Sequence, residues 1–237
     1  MTRKMVEKAI LEHSNPKKSA GVERFFKTTK GQYGAGDIFV GATVPEQRII
    51  AKKFKDLPLL EVEALLNQKI HEFRLTALLI LSIQFEKGTL DDQKKIYNLY
   101  MKNIDNVNNW DLVDQSAPKI LGEYLSKRPK KELCDVLTKL SDSNNLWHNR
   151  IAILATYPIL KAGNFTHIKV LAKKLMNHPH DLIHKAIGWM LREVGKKDEK
   201  ALTDFLDEYG TKMPRIMLRY SIEKFSEKKR KYYLSLR

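Results

Sequence analysis

The sequence predicts an all-α protein built from stacked helical pairs. From Leu57 onward, apolar residues recur at three- and four-residue steps, which is the spacing of amphipathic helices. The same region has no sustained alternation of Val, Ile and Thr and no Asn-Gly turn, so strands and hairpins are not indicated. The second helices of successive pairs begin about 35 residues apart, a period typical of helical-repeat solenoids. Because one pair cannot bury its apolar face alone, we expect a right-handed superhelical stack whose concave face is lined by the second helices.

The first 56 residues are predicted to hold short helices and a glycine-rich loop. One or two helices are expected over residues 1–30, broken at Asn15-Pro16. Four glycines fall within residues 31–41 and forbid a regular helix there. Pro45 then suits the first turn of a helix that carries Arg48. Two interpretations of the loop stay open, because its N–H groups at the helix start could hold a phosphate, or it could be an ordinary loop and cap.

Residues 57–226 are predicted to form five helical pairs joined by short polar connections. The predicted pairs are 59–69 with 72–85, 91–103 with 110–125, 131–140 with 147–160, 166–176 with 182–194, and 200–209 with 215–225. The breaks between pairs are expected at Lys87-Gly88, Arg128-Pro129, Ala162-Gly163 and residues 195–198. For the basic segment 227–237 we expect a solvated, frayed terminus, although its aromatic residues also suit contact with nucleic acid. The whole chain, residues 1–237, is predicted to be a single repeat domain.

The charge of the chain indicates a polyanionic partner. Its 43 Lys and Arg residues outnumber 28 Asp and Glu residues, which gives a formal net charge of +15. Nucleic acid is the first partner that such an excess favours, before an anionic membrane surface or a basic surface that serves only solubility. The single cysteine, Cys134, excludes a disulfide within the chain and a cysteine-ligated iron–sulfur cluster. Because the charged N-terminus lacks a signal peptide's apolar core, and no apolar run approaches the roughly 20 residues of a membrane span, we expect a soluble cytoplasmic protein.

The segment from Asn109 to Asp114 combines an aromatic side chain with a carboxylate. Apolar residues in and after this segment recur at helical spacing, so Trp110 and Asp114 are expected on one face of a helix, one turn apart. The indole can hold a flat cationic group, and the carboxylate can stabilise positive charge or orient a water molecule. The alternative is that the Trp packs in the core and the Asp is a first-turn charge.

Later second helices carry basic and aromatic residues at the repeat spacing. Arg150 and Lys185 follow Asp114 at intervals of about one repeat, so a solenoid would place the three on neighbouring rungs. Trp189 lies one turn beyond Lys185, and Arg192 is three residues further on. Two aromatic side chains, one carboxylate and several cations would then converge on one surface.

Three motifs resemble those of the AlkD family of alkylpurine DNA glycosylases, which are built of HEAT-like repeats. They are Trp110-Asp111-Leu112-Val113-Asp114, Trp147-His148-Asn149-Arg150-Ile151-Ala152-Ile153-Leu154 and Lys185-Ala186-Ile187-Gly188-Trp189-Met190-Leu191-Arg192-Glu193. The resemblance extends in order and spacing over residues 41–193. It implies that Asp114 is the catalytic carboxylate and that Trp110 and Trp189 flank the lesion nucleotide. It also implies that Arg150 lies at the DNA backbone beside the lesion, on a HEAT-like solenoid with a basic concave face.

The same resemblance implies hydrolysis of the N-glycosidic bond of N3- or N7-alkylated purines, such as 3-methyladenine and 7-methylguanine, which leaves an abasic site. Such a purine is already cationic, so neither a general acid nor a cofactor or metal is expected. Arg48, in a segment similar to a DNA-contacting turn of the family, would bind DNA together with Lys185 and Arg192. The implied partner is alkylated double-stranded DNA, bound by a monomer in the bacterial nucleoid without a base-reading pocket. The glycine-rich segment 31–36 departs from the family pattern.

Other interpretations of the sequence stay open. A non-catalytic scaffold could recognise damaged or branched DNA, and a protein-interaction solenoid could bind an acidic partner with its basic face. A lyase-type glycosylase is less favoured because no Lys is singled out by an apolar setting. His178, His180 and His184 lie close in sequence but lack the further ligands of a zinc site. Gly188 costs about 1 kcal/mol relative to Ala inside a helix, which indicates that a neighbouring helix or a ligand approaches it closely.

Overall fold

The computed structural model describes residues 1–236 as an all-α protein. No strand occurs in those residues, and the β-type pairing is an isolated parallel bridge between Ile38 and Ile70. The prediction of an all-α fold is confirmed. The chain forms two compact units, the first covering residues 1–124 and the second beginning at Leu125. The superhelical arrangement and the single-domain organisation stay predictions.

The first unit is a set of helices joined by short connections, apart from the glycine-rich loop after the second helix. The helices are α1 (Arg3–Leu11), α2 (Pro16–Phe25), α3 (Val44–Lys53), α4 (Leu59–Leu66), α5 (His71–Lys87), α6 (Leu90–Lys102) and α7 (Trp110–Ser116). A 3-10 turn, Ile104–Asn106, precedes α7. A π-helical turn, Pro118–Gly122, follows α7 and leads into α8 (Glu123–Ser126), which contains the boundary between the units. The predicted break at Asn15-Pro16 is confirmed.

The central helix of the first unit is α5. Its side chains from His71 to Ser82 are all buried, so the helix is enclosed around its whole circumference. Helices α1, α3, α4, α6 and α7 pack around it. The helix that carries Trp110 and Asp114 is therefore held directly against the most deeply buried element of this unit.

The described part of the second unit is also built of α-helices. It contains α9 (Lys130–Ser141), α10 (Leu146–Ala155), α11 (Tyr157–Lys161), α12 (Thr166–Lys174), α13 (Asp181–Lys197), α14 (Glu199–Tyr209), α15 (Arg215–Ser221) and α16 (Glu227–Ser235). The long helix α13 packs against α10, α11, α12, α14 and α15. It is the element around which this unit is organised.

Gly188 allows α13 and α15 to approach each other closely. A Cβ atom added at this position would lie 2.5 Å from the Cβ atom of Tyr220 and 2.7 Å from the carbonyl oxygen of Met217. Both distances are shorter than real Cβ contacts, so only glycine fits without a shift of α15. Of the two explanations that the sequence left open, the neighbouring helix is the one that the structure shows.

Prolines and an unexpected extension change three of the predicted helix boundaries. The predicted helix 110–125 is interrupted because Pro118 has no N–H group, and the carbonyl of Ala117 instead accepts the N–H of Gly122 at 2.8 Å. The predicted helix 147–160 divides into α10 and α11 near Pro158. The expected break over residues 195–198 is wrong in part, since α13 continues to Lys197 and only Asp198 lies outside a helix.

The basic tail forms a helix, so the expectation of a frayed terminus is wrong over residues 227–235. Tyr233 of α16 is buried, and its hydroxyl group donates a hydrogen bond to Asp207 of α14 at 2.8 Å. Lys229 of α16 contacts Glu199 of α14 at 2.6 Å. One buried aromatic side chain thus anchors a segment whose composition alone indicated solvation. Arg237, the last residue of that predicted tail, lies outside the described residues.

Candidate functional site

The predicted catalytic pair lies on α7. Asn109 precedes the helix, and its side-chain oxygen accepts the backbone N–H of Trp110 at 2.8 Å. Trp110 is the first residue of the helix and Asp114 lies one turn later, and both side chains are half-buried. The predicted placement of the two residues one helical turn apart is confirmed, while their roles stay a prediction.

The two aspartates of α7 have different environments. Asp111 is buried, and one of its carboxylate oxygens lies 2.8 Å from Nε2 of His71. Its other oxygen accepts the backbone N–H of Leu112 at 2.8 Å. Asp111 is thus bonded within the interior, whereas Asp114 is half-buried.

Two phenylalanines at the end of α2 cover Trp110. The ring of Phe26 is stacked on the indole, with ring centroids 5.0 Å apart and an interplanar angle of 7°. Phe25 meets the indole edge-on at 5.8 Å and is 65% exposed. The sequence analysis did not predict these two residues as part of the site. The feature that could have indicated them is that two adjacent aromatic residues occur within a basic segment. Trp110 is therefore part of an aromatic cluster, Phe25, Phe26, Phe39 and Trp110, in which Phe26 and Phe39 lie 4.9 Å apart.

A buried group of charged and polar residues supports the start of α7, and we call it the charge cluster: Asp37, His71, Arg74, Asn109 and Asp111. His71 lies between two carboxylates, with Nδ1 3.2 Å from Asp37 and Nε2 2.8 Å from Asp111. Arg74 forms an ion pair with Asp37. The side-chain amide of Asn109 donates to Asp37 at 2.7 Å. The cluster thus joins the glycine-rich loop, α5 and α7 through charged hydrogen bonds.

The charge cluster holds His71 as a cation at neutral pH. Burial opposes the charged imidazole, but the carboxylates of Asp111 and Asp37 outweigh burial and raise the pKa of His71 to about 9. Burial also opposes the charge of Asp37, yet His71, Arg74 and Asn109 together lower the pKa of that carboxyl below its ordinary value. Two carboxylates and two cations are therefore balanced in the interior.

The glycine-rich loop packs tightly against the end of α2. A Cβ atom at Gly34 would lie 2.2 Å from the carbonyl oxygen of Phe26, so only glycine fits there. Lys27, the residue after Phe26, has a positive φ of 53°, a conformation that a lysine adopts only when its surroundings impose it. The N–H of Gly34 donates to the carbonyl of Lys27 at 3.2 Å. The loop therefore fixes the position of the two phenylalanines that meet Trp110.

The N–H groups before α3 are already used within the protein. Those of Val40 and Gly41 donate to the carboxylate of Glu72, at 3.0 Å and 2.8 Å for its nearer oxygen. The N–H of Thr43 donates to Glu46 at 2.6 Å in a capping box. Of the two interpretations of this segment, the structure shows the ordinary loop and cap, in which a carboxylate occupies the place that a phosphate would take.

Two basic side chains lie near the end of α7, in the same unit as Asp114. Arg48 is exposed, and its guanidinium donates to the side-chain oxygen of Gln115 at 3.2 Å. Lys119 follows Gln115 by four residues, and burial, together with the positive charge of Arg48, lowers the pKa of its amine. Two cations are thus held close enough to repel each other, an arrangement that a bound anion would relieve. Lys119 was not predicted from the sequence.

The predicted basic residues of the second unit have acidic or carbonyl partners. Arg150 is buried, and its Nη1 donates to the carbonyl oxygen of Leu182 at 2.6 Å, which ties α10 to the start of α13. Lys185 forms an ion pair with Asp181 at 2.7 Å. Arg192 forms an ion pair with Glu223 and lies 3.6 Å from Glu193. DNA phosphates would have to compete with these acidic side chains for Lys185 and Arg192.

Trp189 is half-buried on α13, between Gly188 and the buried Met190. It shares the second unit with Arg150, Lys185 and Arg192, whereas Trp110, Asp114 and Arg48 belong to the first unit. Within each unit, the residues that were predicted to form the site lie on neighbouring turns of one helix or on neighbouring helices. The common surface formed by both sets stays a prediction.

The histidines near α13, the cysteine and the third tryptophan lie outside the groups described above. Within residues 1–236, no group of three or more His, Cys, Asp or Glu side chains is arranged to hold a metal ion, and this includes the three histidines near α13. Cys134 is half-buried. Trp147 is buried. In the described part of the chain, none of the helices is long and apolar enough to cross a membrane.

Comparisons with known proteins agree with the architecture and with the motifs. The sequence model of the family described as DNA alkylation repair enzyme matches residues 6–225. A solved structure from Enterococcus faecalis, described as a predicted DNA alkylation repair enzyme, is similar to this chain with a TM-score of 0.71 and 19% sequence identity. The similarity covers 91% of this chain and 98% of that one, and at this identity it is a likeness of fold. Among curated proteins, a sequence search finds no match.

Proposed function

The chain belongs to the family of DNA alkylation repair enzymes, and from that premise we propose that it is a monofunctional DNA glycosylase. Its substrate is double-stranded DNA that contains N3- or N7-alkylated purines, such as 3-methyladenine and 7-methylguanine. The reaction is hydrolysis of the N-glycosidic bond, which releases the alkylated base and leaves an abasic site. The protein acts as a monomer and uses no cofactor.

The observation that supports this proposal most is the contrast between the two aspartates of α7. Asp111 is buried against His71, whereas Asp114 is half-buried on the same helix, one turn after Trp110. Cleavage of the N-glycosidic bond builds positive charge on the deoxyribose. A carboxylate at that position stabilises this charge and positions the attacking water, which is the chemistry assigned to Asp114.

Departure of the base needs little help from the protein. A purine alkylated at N3 or N7 carries a formal positive charge, so it leaves as a neutral base without prior protonation. The proposed role of Trp110 and Trp189 is to contact the cationic nucleotide through their ring faces and edges. Selectivity then follows from the lability of the charged lesion, and a pocket that reads the base edge is not required.

The proposed DNA contacts are electrostatic. Arg48 and Lys119 lie near the end of α7 and suit a phosphate of the lesion strand. Lys185 and Arg192 are proposed to exchange their ion pairs with Asp181 and Glu223 for phosphate contacts. Arg150 is proposed to contact the backbone beside the lesion while it keeps its hydrogen bond to Leu182.

The test of this proposal is release of free 7-methylguanine from alkylated DNA under single-turnover conditions. We expect the Asp114→Asn variant to lose roughly 100- to 1,000-fold in rate, because the charge that stabilises the transition state is removed while the shape is kept. Asp135→Asn, on the exposed face of α9, is the matched control and should keep the wild-type rate. Equal rates for wild type and Asp114→Asn would contradict the assignment of Asp114.

A second candidate function is a non-catalytic binder of damaged DNA. The observation that favours it is the stacking of Phe26 on Trp110, which covers one face of the indole and makes the aromatic cluster resemble a built surface for a base. This candidate predicts that neither the wild type nor Asp114→Asn releases a base. It also predicts that both proteins bind alkylated DNA more tightly than unmodified DNA, by the same factor.

A further inference from the structure

The charge cluster is bonded to the chain on both sides of Trp110. Asn109, the residue before it, donates to Asp37 at 2.7 Å and accepts the N–H of Trp110 at 2.8 Å. Asp111, the residue after it, lies 2.8 Å from Nε2 of His71. The backbone of Trp110 is therefore held on both sides by members of the charge cluster. These charge-assisted hydrogen bonds restrain it more strongly than side-chain packing alone would.

The same histidine also reaches the ring of Trp110 through aromatic contacts. The imidazole of His71 is stacked on Phe39 with centroids 4.5 Å apart, and it lies 5.1 Å from Phe26. Phe26 in turn is stacked on the indole. The orientation of His71 thus bears on both the backbone and the ring plane of Trp110.

We propose that His71 and Asp37 are positioning residues, which hold Trp110 in the orientation that base release requires. The inference rests on the proposed glycosylase function, because it assigns roles in that reaction to residues that touch no substrate. It also gives the glycine-rich loop a function, since that loop supplies Asp37 and packs against the carbonyl of Phe26. A misplacement of about 1 Å in a substrate-contacting group can cost roughly 100-fold in rate.

The positioning depends on the protonation of His71. Its charged neighbours are Asp37 from the loop, Asp111 from α7 and Arg74 from α5 itself, while Phe26 and Phe39 are the uncharged rings beside it. The imidazolium donates to both carboxylates, whereas a neutral imidazole has one N–H and can donate to only one of them. Above the pKa of His71, which is about 9, one of the two bonds is lost.

A spectroscopic experiment tests the positioning without any assay of activity. The full-length protein is labelled with 5-fluorotryptophan, and its three tryptophan signals are assigned with single Trp→Phe variants and followed by fluorine NMR from pH 6.5 to 10. We expect the Trp110 signal to titrate with a midpoint near pH 9, and we expect this titration to be absent in the His71→Gln variant. His167→Gln, which removes a different buried histidine from the second unit, should leave the Trp110 titration unchanged.

A kinetic experiment links the positioning to catalysis. Single-turnover release of 7-methylguanine should fall roughly 10- to 100-fold in Asp37→Asn and His71→Gln, with DNA affinity within about twofold of wild type. The wild-type rate should decline above pH 9. His71→Arg carries a permanent cation, so it should retain more activity than His71→Gln and lack this decline.

The outcomes separate this inference from the proposed function. If the wild type releases no base but the Trp110 signal titrates with His71, the glycosylase proposal fails while the structural coupling stands. If the wild type is active and the folded His71→Gln and Asp37→Asn variants match its rate at every pH, the positioning roles are wrong. A Trp110 signal that does not respond between pH 8 and 10 would also overturn the inference, whatever the variants do.

Discussion

At the scale of single residues, tertiary structure gives two identical side chains of one helix different environments. Asp111 and Asp114 are three residues apart on one short helix, and both belong to the motif that resembles a glycosylase signature. Asp111 is paired with a buried imidazolium and stabilises the fold, whereas Asp114 is half-buried one turn after Trp110. The family resemblance selected Asp114 as the catalytic carboxylate, and that role stays a prediction.

His71 makes a pH-dependent contribution to stability. Its pKa in the folded protein, about 9, exceeds the ordinary value of 6.5, so the contribution is fully present below pH 6.5 and is lost as pH rises through 9. A shift of this size corresponds to a contribution on the order of 3 kcal/mol. We therefore expect the difference in unfolding free energy between wild type and His71→Gln, measured with urea, to be largest near pH 6.5 and to shrink by pH 10.

The control for this measurement is His167→Gln, since burial lowers the pKa of His167 and no carboxylate offsets that burial. Its effect on stability should not shrink as the pH rises from 6.5 to 10. If the difference in unfolding free energy between wild type and His71→Gln stays constant over the same pH range, the raised pKa of His71 is contradicted.

At the scale of helices, close approach depends on positions where a side chain has no room. Gly188 lies where α13 meets α15, and Gly34 lies where the glycine-rich loop meets the end of α2. The sequence showed that both are glycines in unusual settings. It did not show what approaches them, because the carbonyl of Phe26 and the helix that carries Tyr220 come from other parts of the chain.

Gly188→Ala and Gly21→Ala should change stability in opposite directions. An alanine at position 188 would force α13 and α15 apart, and we expect it to lower the free energy of unfolding by about 1–3 kcal/mol. Gly21 lies on the exposed face of α2 with no atom near its added Cβ, so alanine there should stabilise by about 0.5–1 kcal/mol. Urea denaturation at pH 7 measures both, and an unchanged midpoint for Gly188→Ala would show that α15 can shift freely.

At the scale of the whole molecule, the excess of positive charge is the property that most affects DNA binding. The formal net charge is +15, and part of the basic side chains are engaged in ion pairs on the surface. Binding to DNA releases counterions in proportion to the phosphates that are neutralised, so affinity should fall steeply with salt. Arg48 and Lys119, near the end of α7, are two cations for which this can be tested individually.

We expect Arg48→Gln and Lys119→Gln each to reduce the slope of log K against log salt concentration by about 0.9, which is the loss of one phosphate contact. The measurement is fluorescence anisotropy with an oligonucleotide duplex between about 50 and 200 mM salt. Lys131→Gln is the matched control, because Lys131 is an exposed lysine on α9, in the other unit, and forms an ion pair with Asp135. If both variants show the wild-type slope of log K against log salt concentration, DNA binds elsewhere on the protein.

The sequence by itself determined the helical class, the break at Asn15-Pro16, the non-helical glycine-rich loop and the three motifs that indicate the family. These properties depend on spacing and on backbone chemistry within one or two turns, which a linear pattern contains. It also placed Trp110 and Asp114 on one helix, one turn apart. The same local rules missed the π-helical turn after Pro118 and the helical tail anchored by Tyr233.

Only the tertiary structure decided how Trp110 is supported. Phe26, Asp37 and His71 lie 84, 73 and 39 residues before it in the sequence, yet they stack on its ring or are bonded to its neighbours in the chain. No periodicity of the sequence connects such positions, because their proximity is produced by burial of α5 and by the path of the glycine-rich loop. The pKa of His71 follows from the same cause, since two carboxylates distant in sequence outweigh burial only when folding brings them against one imidazole.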